Sequence, residues 1–294
     1  MAGQKKHNEI VFVNSFKGGA GKTTLSLTHC IDDLFHEQKF ENVIYIDLDI
    51  LGTATSYLFD KDKLPLEKCF NHTKKAVRVD LDYEGETKGL HVLYLSPELK
   101  TRSIYKGINY INNQDIAQQL LRDDITAFVR ERVEGQEGNL IVFDCAPGFS
   151  KMEQELLKTC YDMKLARKTQ VREEYVATLD SGHIEKCVQC LADSWKTFQV
   201  QPDFRNIRLT LNDIQNYYSY ANRDPKSDAE QQFQEIAETI SARLQEGQVR
   251  EVEIFFWRYS QDIAVHSVFR HQRFVENQVD CYILTQDSYK KYQA

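Results

Sequence analysis

The sequence predicts an α/β protein with a mainly parallel, doubly wound sheet of about seven or eight strands flanked by helices. Three observations predict it. Short β-branched and aromatic runs alternate along the chain with stretches of helical periodicity, the pattern of helices packed on both faces of a parallel sheet. Several runs, such as Val43-Ile44-Tyr45-Ile46 and Leu140-Ile141-Val142-Phe143, are apolar without alternation, as expected of strands covered on both faces. Strand-like runs also end in glycine-rich turns or aspartates, where open α/β sheets place their chemistry.

The first strand is expected near 9–15, around Ile10-Val11-Phe12-Val13. Lys17-Gly18-Gly19-Ala20-Gly21-Lys22-Thr23-Thr24 follows it, and a helix is expected from Leu25 to Phe35. Strand, glycine-rich turn and helix in that order form a phosphate cradle. Glycines let backbone N–H groups approach an anion, and the helix start adds partial positive charge. Lys22 can reach the β- and γ-phosphates, and the Thr23 hydroxyl can ligate Mg²⁺. The common loop pattern carries a glycine where this chain has Phe16, with a second lysine, Lys17, after it.

The second strand, 42–47, ends in Asp47-Leu48-Asp49, with Gly52-Thr53-Ala54-Thr55-Ser56 beyond. Val77-Arg78-Val79-Asp80-Leu81 alternates and suggests a half-exposed edge strand near 76–82, before another strand near 89–95. The polar segment Leu99–Gln114, with Tyr105 and Tyr110, reads as a helix–loop connection or as a partner contact. Asp115 to Glu134 reads as a helix with Ile116, Leu120, Ile125 and Val129 available to the core. The strand at 138–144 runs into Asp144-Cys145-Ala146-Pro147-Gly148, and a carboxylate there can hold Mg²⁺ through water.

Further on, strands are expected at 174–179, 206–212 and 251–256, and helices at Ser181–Thr197 and 228–246. In the last helix Phe233, Ile236, Ile240 and Leu244 should pack on the sheet, and Arg223-Asp224-Pro225 before it is turn chemistry. Cys187 and Cys190 form a C-x-x-C inside the 181–197 helix, where packing explains them better than metal binding. Asn212 ends its strand and is either an adenine reader, with one donor and one acceptor for the base edge, or a turn asparagine.

The phosphate loop resembles the deviant Walker A motif, K-G-G-x-G-K-T-T, of the ParA/MinD family of P-loop ATPases, more ParA-like than MinD-like. The resemblance extends in order through Asp47-x-Asp49 and the Ala54-Thr55 pair, the Walker B-type Asp144 with its Ala-Pro-Gly turn, and Asn212. It departs at Ile50-Leu51, where the family has Pro-Gln, and at Thr53. It implies a P-loop NTPase domain over 1–294 that binds ATP and Mg²⁺ and hydrolyses ATP slowly. Gly18, Gly19, Ala20, Gly21, Lys22, Thr23 and Thr24 would hold the phosphates, and Asn212 the adenine. Thr23, Asp47 and Asp144 would hold the metal, Asp49 would position the attacking water, and Lys17 would reach a partner's phosphates across a homodimer. The family's outputs divide the expectations further: nonspecific DNA in partitioning, a membrane surface, or a protein complex, usually with a partner protein that stimulates hydrolysis.

Bulk properties narrow these outputs. At 294 residues, 41% hydrophobic and 28% charged, the chain fits an ordinary globule with one large sheet. The net charge of −7 excludes a uniformly basic nucleic-acid coat but leaves a local basic patch open. The nearest candidates are Lys164, Arg167, Lys168 and Arg172, and Arg258, Arg270 and Arg273. Seven scattered cysteines and an N-terminus lacking the apolar core of a signal peptide point to a reduced, cytoplasmic protein. The tail 282–292 has no sustained amphipathic period, so membrane binding ranks below DNA binding.

Overall fold

The computed structural model describes residues 7–49, 76–83, 85–94, 115–135, 137–148, 150–166, 169–178, 180–197, 206–212, 238–246, 252–257 and 289–291. Among the described residues nine strands form one sheet: β1 (Asn8–Asn14), β2 (Asn42–Asp47), β3 (Val77–Tyr83), β4 (Glu86–Tyr94), β5 (Asn139–Asp144), β6 (Thr169–Thr178), β7 (Asn206–Asn212), β8 (Val252–Trp257) and β9 (Tyr289–Lys291). Their order is β3-β4-β2-β5-β1-β6-β7-β8-β9. The pairs from β4 to β8 are parallel, and only β3 on β4 and β9 on β8 are antiparallel. Among the described residues each outermost strand, the seven-residue β3 and the three-residue β9, runs antiparallel to its neighbour, and β3 is the half-exposed strand expected near 76–82.

Helix α1 (Lys22–Asp32), extended by a wider turn over Asp33–Glu37, covers one face through Leu25, Leu27, Cys30 and Ile31. Its sheet partners are Val11, Val13, Val43, Tyr45, Leu140 and Val142. Helices α2 (Asp115–Gly135) and α3 (Lys151–Ala166) cover the opposite face. There Ile125, Phe128, Leu156 and Leu157 meet Ile10, Phe12, Ile44, Ile46, Ile141 and Phe143. Alternate residues of one strand therefore enter two cores, which is why β5 shows no polar alternation and is buried at all six positions. Phe12 and Phe143 stack across β1 and β5 with ring centroids 4.4 Å apart.

Helix α4 (Ser181–Thr197) packs Cys187, Val188 and Leu191 on β6 and β7, joined by Ile240 and Leu244 of helix α5 (238–246). Phe233, Ile236 and Leu99–Gln114 lie outside the described residues, as do 50–75 and the arginines Arg258, Arg270 and Arg273. Among the described residues no helix is long and apolar enough to cross a membrane.

Several elements differ from the sequence reading: the sheet has nine described strands rather than seven or eight, because Tyr289–Lys291 adds an unexpected β9 on β8, and β4 begins at Glu86 rather than near 89. Strand β6 starts at Thr169, five residues before the expected 174, and pairs with β1 from Asn8 onward. Its first half is polar, but each charge finds a partner from another element. Arg172 pairs with Glu9 at 3.0 Å. Glu173 accepts hydrogen bonds from the Tyr161 and Tyr175 hydroxyls, and Glu174 from Thr210 and His29. Helix α3 follows directly after the Asp144 turn, begun by a capping box in which Ser150 and Glu153 bond each other's backbone N–H.

Candidate functional site

The site lies at the carboxyl ends of β1, β2, β5 and β6. The phosphate loop leaves β1 with Gly19 and Gly21 at φ of 75° and 98°, a region open to glycine at little cost. Ala20 between them is buried, while Gly18 and Gly19 have nothing within 4 Å of where a Cβ would stand. Backbone N–H groups can therefore close on an anion there. Gly21 caps α1 without a side chain, so the first-turn N–H groups remain available to a phosphate.

Three further bonds seat the loop on the strand ends. Cys145 N–H donates to the Val13 carbonyl at 3.1 Å and Gly148 N–H to the Ser15 carbonyl at 2.9 Å. Asn212, at the end of β7, donates its side-chain amide to the Ala20 carbonyl at 2.9 Å. The asparagine singled out in the sequence thus touches the phosphate loop itself, a contact no sequence pattern announces.

Lys22 and Lys17 take different positions. Lys22 is 6% exposed and its ammonium acts on the Asp144 carboxylate. Lys17 is exposed, and its backbone is held: its N–H donates to Ser15 Oγ at 3.3 Å, and Ser15 Oγ donates back to its carbonyl at 3.1 Å. Behind Ser15 stands buried His183 of α4, its Nε2 3.4 Å from the hydroxyl. Thr178 N–H donates to His183 Nδ1 at 3.0 Å, which leaves the ring proton on Nε2. Burial and then the Lys17 charge push the His183 pKa below its usual value.

The candidate oxygen ligands meet between β2 and β5, whose ends pair Asp47 with Asp144. The Thr23 hydroxyl donates to Asp144 Oδ2 at 2.6 Å and the Tyr45 hydroxyl to the same oxygen at 2.7 Å. Asp144 is fully buried and its Oδ1 has no hydrogen-bond partner in the described protein. Burial pushes its carboxyl above the ordinary range. The Thr23 and Tyr45 bonds and Lys22 oppose the rise, and the Asp49 charge adds to it. A buried carboxylate oxygen without a donor, beside a threonine hydroxyl, fits a hard, hydrated divalent cation. Asp47 is buried and accepts the Asp49 N–H on Oδ1 at 3.0 Å, while Asp49 is half-buried just past the strand end.

Glu153 was not among the residues the sequence singled out. Its carboxylate, wholly buried, accepts the N–H of Ala146 at 2.6 Å and that of Ser150, and so clamps the turn after Asp144 to the start of α3. The Ser150-Lys151-Met152-Glu153 capping box was the available signal. Burial, reinforced by Asp49 and opposed by these bonds, raises its pKa from 4.5 to about 6. Cys187, by contrast, is buried in the α4 core with Cys190 half-exposed, and no group of described residues has metal-ligand clustering of its own.

A glycine-rich loop between a parallel strand and a helix, facing a strand-end aspartate, stands on this mainly parallel, helix-covered fold. Solved structures share it. The chain is similar to pNOB8 ParA with a TM-score of 0.64 at 12% identity, over 95% of this chain and 90% of that one. It is similar to pNOB8 ParA bound to nonspecific DNA with a TM-score of 0.52 at 14% identity, over 93% of this chain and 99% of that one. It is also similar to an ATP complex of a Cyanothece McdA variant, TM-score 0.50 at 12% identity, over 98% of this chain and 100% of that one. No protein-family model and no curated protein sequence matches the chain.

Proposed function

We propose that this chain is an ATP-dependent molecular switch of the ParA type, which binds MgATP, pairs face to face with a second copy and is reset by slow hydrolysis. The observation that carries the reading is the division of labour between the two loop lysines. Lys22 is buried and its charge acts on Asp144, so a phosphate could take it as counterion, while Lys17 is exposed on a backbone pinned by Ser15. In this reading Lys17 would act on a second copy's nucleotide. Gly18 to Thr24 would bind the phosphates, Lys22 would hold the γ-phosphate, and Asp49 would orient the attacking water. Thr23 and Asp144, with Asp47, would hold Mg²⁺, which neutralises charge on the β- and γ-oxygens. Catalysis at such a site is positioning and charge stabilisation, with no covalent intermediate.

For output we propose nonspecific DNA, the ligand named for one of the similar structures, with a partner protein stimulating hydrolysis and the cytoplasm as compartment. Light scattering in ATP, ADP and no nucleotide tests the switch; a mass that does not rise with ATP rejects it. Turnover and gel shifts with DNA, and sedimentation with liposomes, test the output. DNA retention should fall steeply between low and moderate salt, as counterion release requires. An ATP-dependent response to liposomes alone would move the reading to membrane positioning. A response to neither would leave a nucleotide-gated adaptor.

A further inference from the structure

Tyr45 lies in the middle of β2 among Val43, Ile44 and Ile46. Its side chain is fully buried on the α1 face, in the core with Val11, Val13, Cys30 and Val142. That core needs an apolar group of this size and makes no demand for a hydroxyl. The hydroxyl is nevertheless there, and it donates to Asp144 Oδ2 at 2.7 Å.

The consequence for Asp144 is geometric. Oδ2 already accepts the Thr23 hydroxyl at 2.6 Å. A carboxylate oxygen has two lone pairs, so Thr23 and Tyr45 together saturate Oδ2. Oδ1 is then the oxygen with capacity left, and it is the buried one that finds no donor in the described protein. With Thr23 as sole donor, the carboxylate could exchange its two oxygens by rotation. Tyr45 bonds from the floor of the site, on a strand hydrogen-bonded to β4 and to β5, and fixes the choice.

We propose that Tyr45 is a positioning residue for the divalent cation of the nucleotide site: it holds Asp144 so that Oδ1 faces the water shell of a cation bound at Thr23. The inference rests on the nucleotide reading above and adds a residue to it. Tyr45 touches neither nucleotide nor metal and acts only through Asp144.

Tyr45→Phe removes the hydroxyl and keeps the ring. ADP affinity is measured by calorimetry with excess Mg²⁺ and with EDTA, for wild type and variant. Mn²⁺ binding to the ADP-saturated proteins is followed in parallel by electron paramagnetic resonance. Partners that orient a metal ligand typically contribute about 10–100-fold to metal affinity. The metal-linked gain in ADP affinity, and the Mn²⁺ affinity, should therefore fall about tenfold or more in the variant, with ADP affinity in EDTA within about twofold of wild type. An unchanged metal-linked gain overturns the proposal. Equal losses with and without metal, or loss of cooperative unfolding, also overturn it and assign the hydroxyl to folding alone. A wild-type protein that binds ADP no better with Mg²⁺ than in EDTA overturns this inference and leaves the nucleotide reading standing, whereas one that binds no ADP at all brings down the nucleotide reading and this inference with it.

Discussion

The Phe16 ring stacks on Tyr175 of β6, with centroids 6.1 Å apart and planes inclined by 12°. Phe16 stands where the common phosphate loop has its first glycine. The Tyr175 hydroxyl in turn donates to buried Glu173 at 2.9 Å, which also accepts the Tyr161 hydroxyl of α3 at 2.6 Å. The start of the loop is therefore packed onto a sheet residue and tied through it to a helix on that face. Restoring the common residue with Phe16→Gly should cost stability. The loss should be about 2 kcal/mol, below the roughly 3–5 kcal/mol of a fully buried phenylalanine because this one is half-buried. Urea denaturation measures it; an unchanged midpoint would show that the stack contributes nothing.

Lys22→Ala should weaken MgATP binding by at least about tenfold, since a charge-assisted bond to phosphate is worth about 1.5–3 kcal/mol. Calorimetry reads this directly. Unchanged affinity would mean that the loop is not a phosphate site.

Asn212 offers two separable outcomes. If it reads adenine, ATP should bind more tightly than GTP by about 1–3 kcal/mol, and Asn212→Ala should narrow the gap. If its contribution is the 2.9 Å bond to the Ala20 carbonyl, the variant should weaken both nucleotides equally by loosening the loop. Competition binding with the two nucleotides distinguishes these, and equal wild-type affinities would remove the base-reading role.

Lys17 and Asp49 should fail differently. Lys17→Ala should leave ATP affinity largely intact while impairing turnover and ATP-dependent dimerisation, because an exposed loop lysine acts on charge presented by a second copy. Asp49→Ala should lose water positioning and accumulate an ATP-bound dimer. Light scattering with phosphate release follows both. A Lys17→Ala protein that pairs and turns over like wild type would reduce this lysine to a solvated loop residue.

Glu153 predicts a pH dependence of stability. Its folded pKa is raised from 4.5 to about 6, so the folded state holds the proton more tightly than the unfolded chain. Its favourable contribution is complete below pH 4.5 and is lost as pH rises through about 6. The loss is about 2 kcal/mol for a shift of this size. Glu153→Gln cannot accept both N–H groups and should be less stable than wild type, yet it lacks this titration. Between pH 4 and 7, wild type should therefore lose about 2 kcal/mol relative to the variant. Parallel denaturation curves at both pH values would show that Glu153 titrates normally.

The phosphate loop, the strand ends at Asp47 and Asp144 and the covered faces of the parallel strands were legible in the sequence because each is a contiguous pattern. A glycine needing positive φ, an apolar run buried on both sides, and a carboxylate at a strand end are local demands that leave local marks. Where the partners are distant in sequence, the marks disappear. Strand β6 looks polar until Glu9, His29, Tyr161 and Thr210 arrive from four other elements to pair with Arg172, Glu173 and Glu174. Tyr45 reads as one more core aromatic until folding sets its hydroxyl 2.7 Å from a residue 99 positions away. His183 likewise gains meaning only when α4 carries it to Ser15, 168 positions back. The sequence determined most of the segments that form the sheet, β9 and the first half of β6 excepted, and which loop could hold a phosphate. Tertiary structure decided which buried polar atoms are satisfied and which, like Asp144 Oδ1, are left for something else, because burial turns every hydrogen bond into a choice that only long-range packing makes.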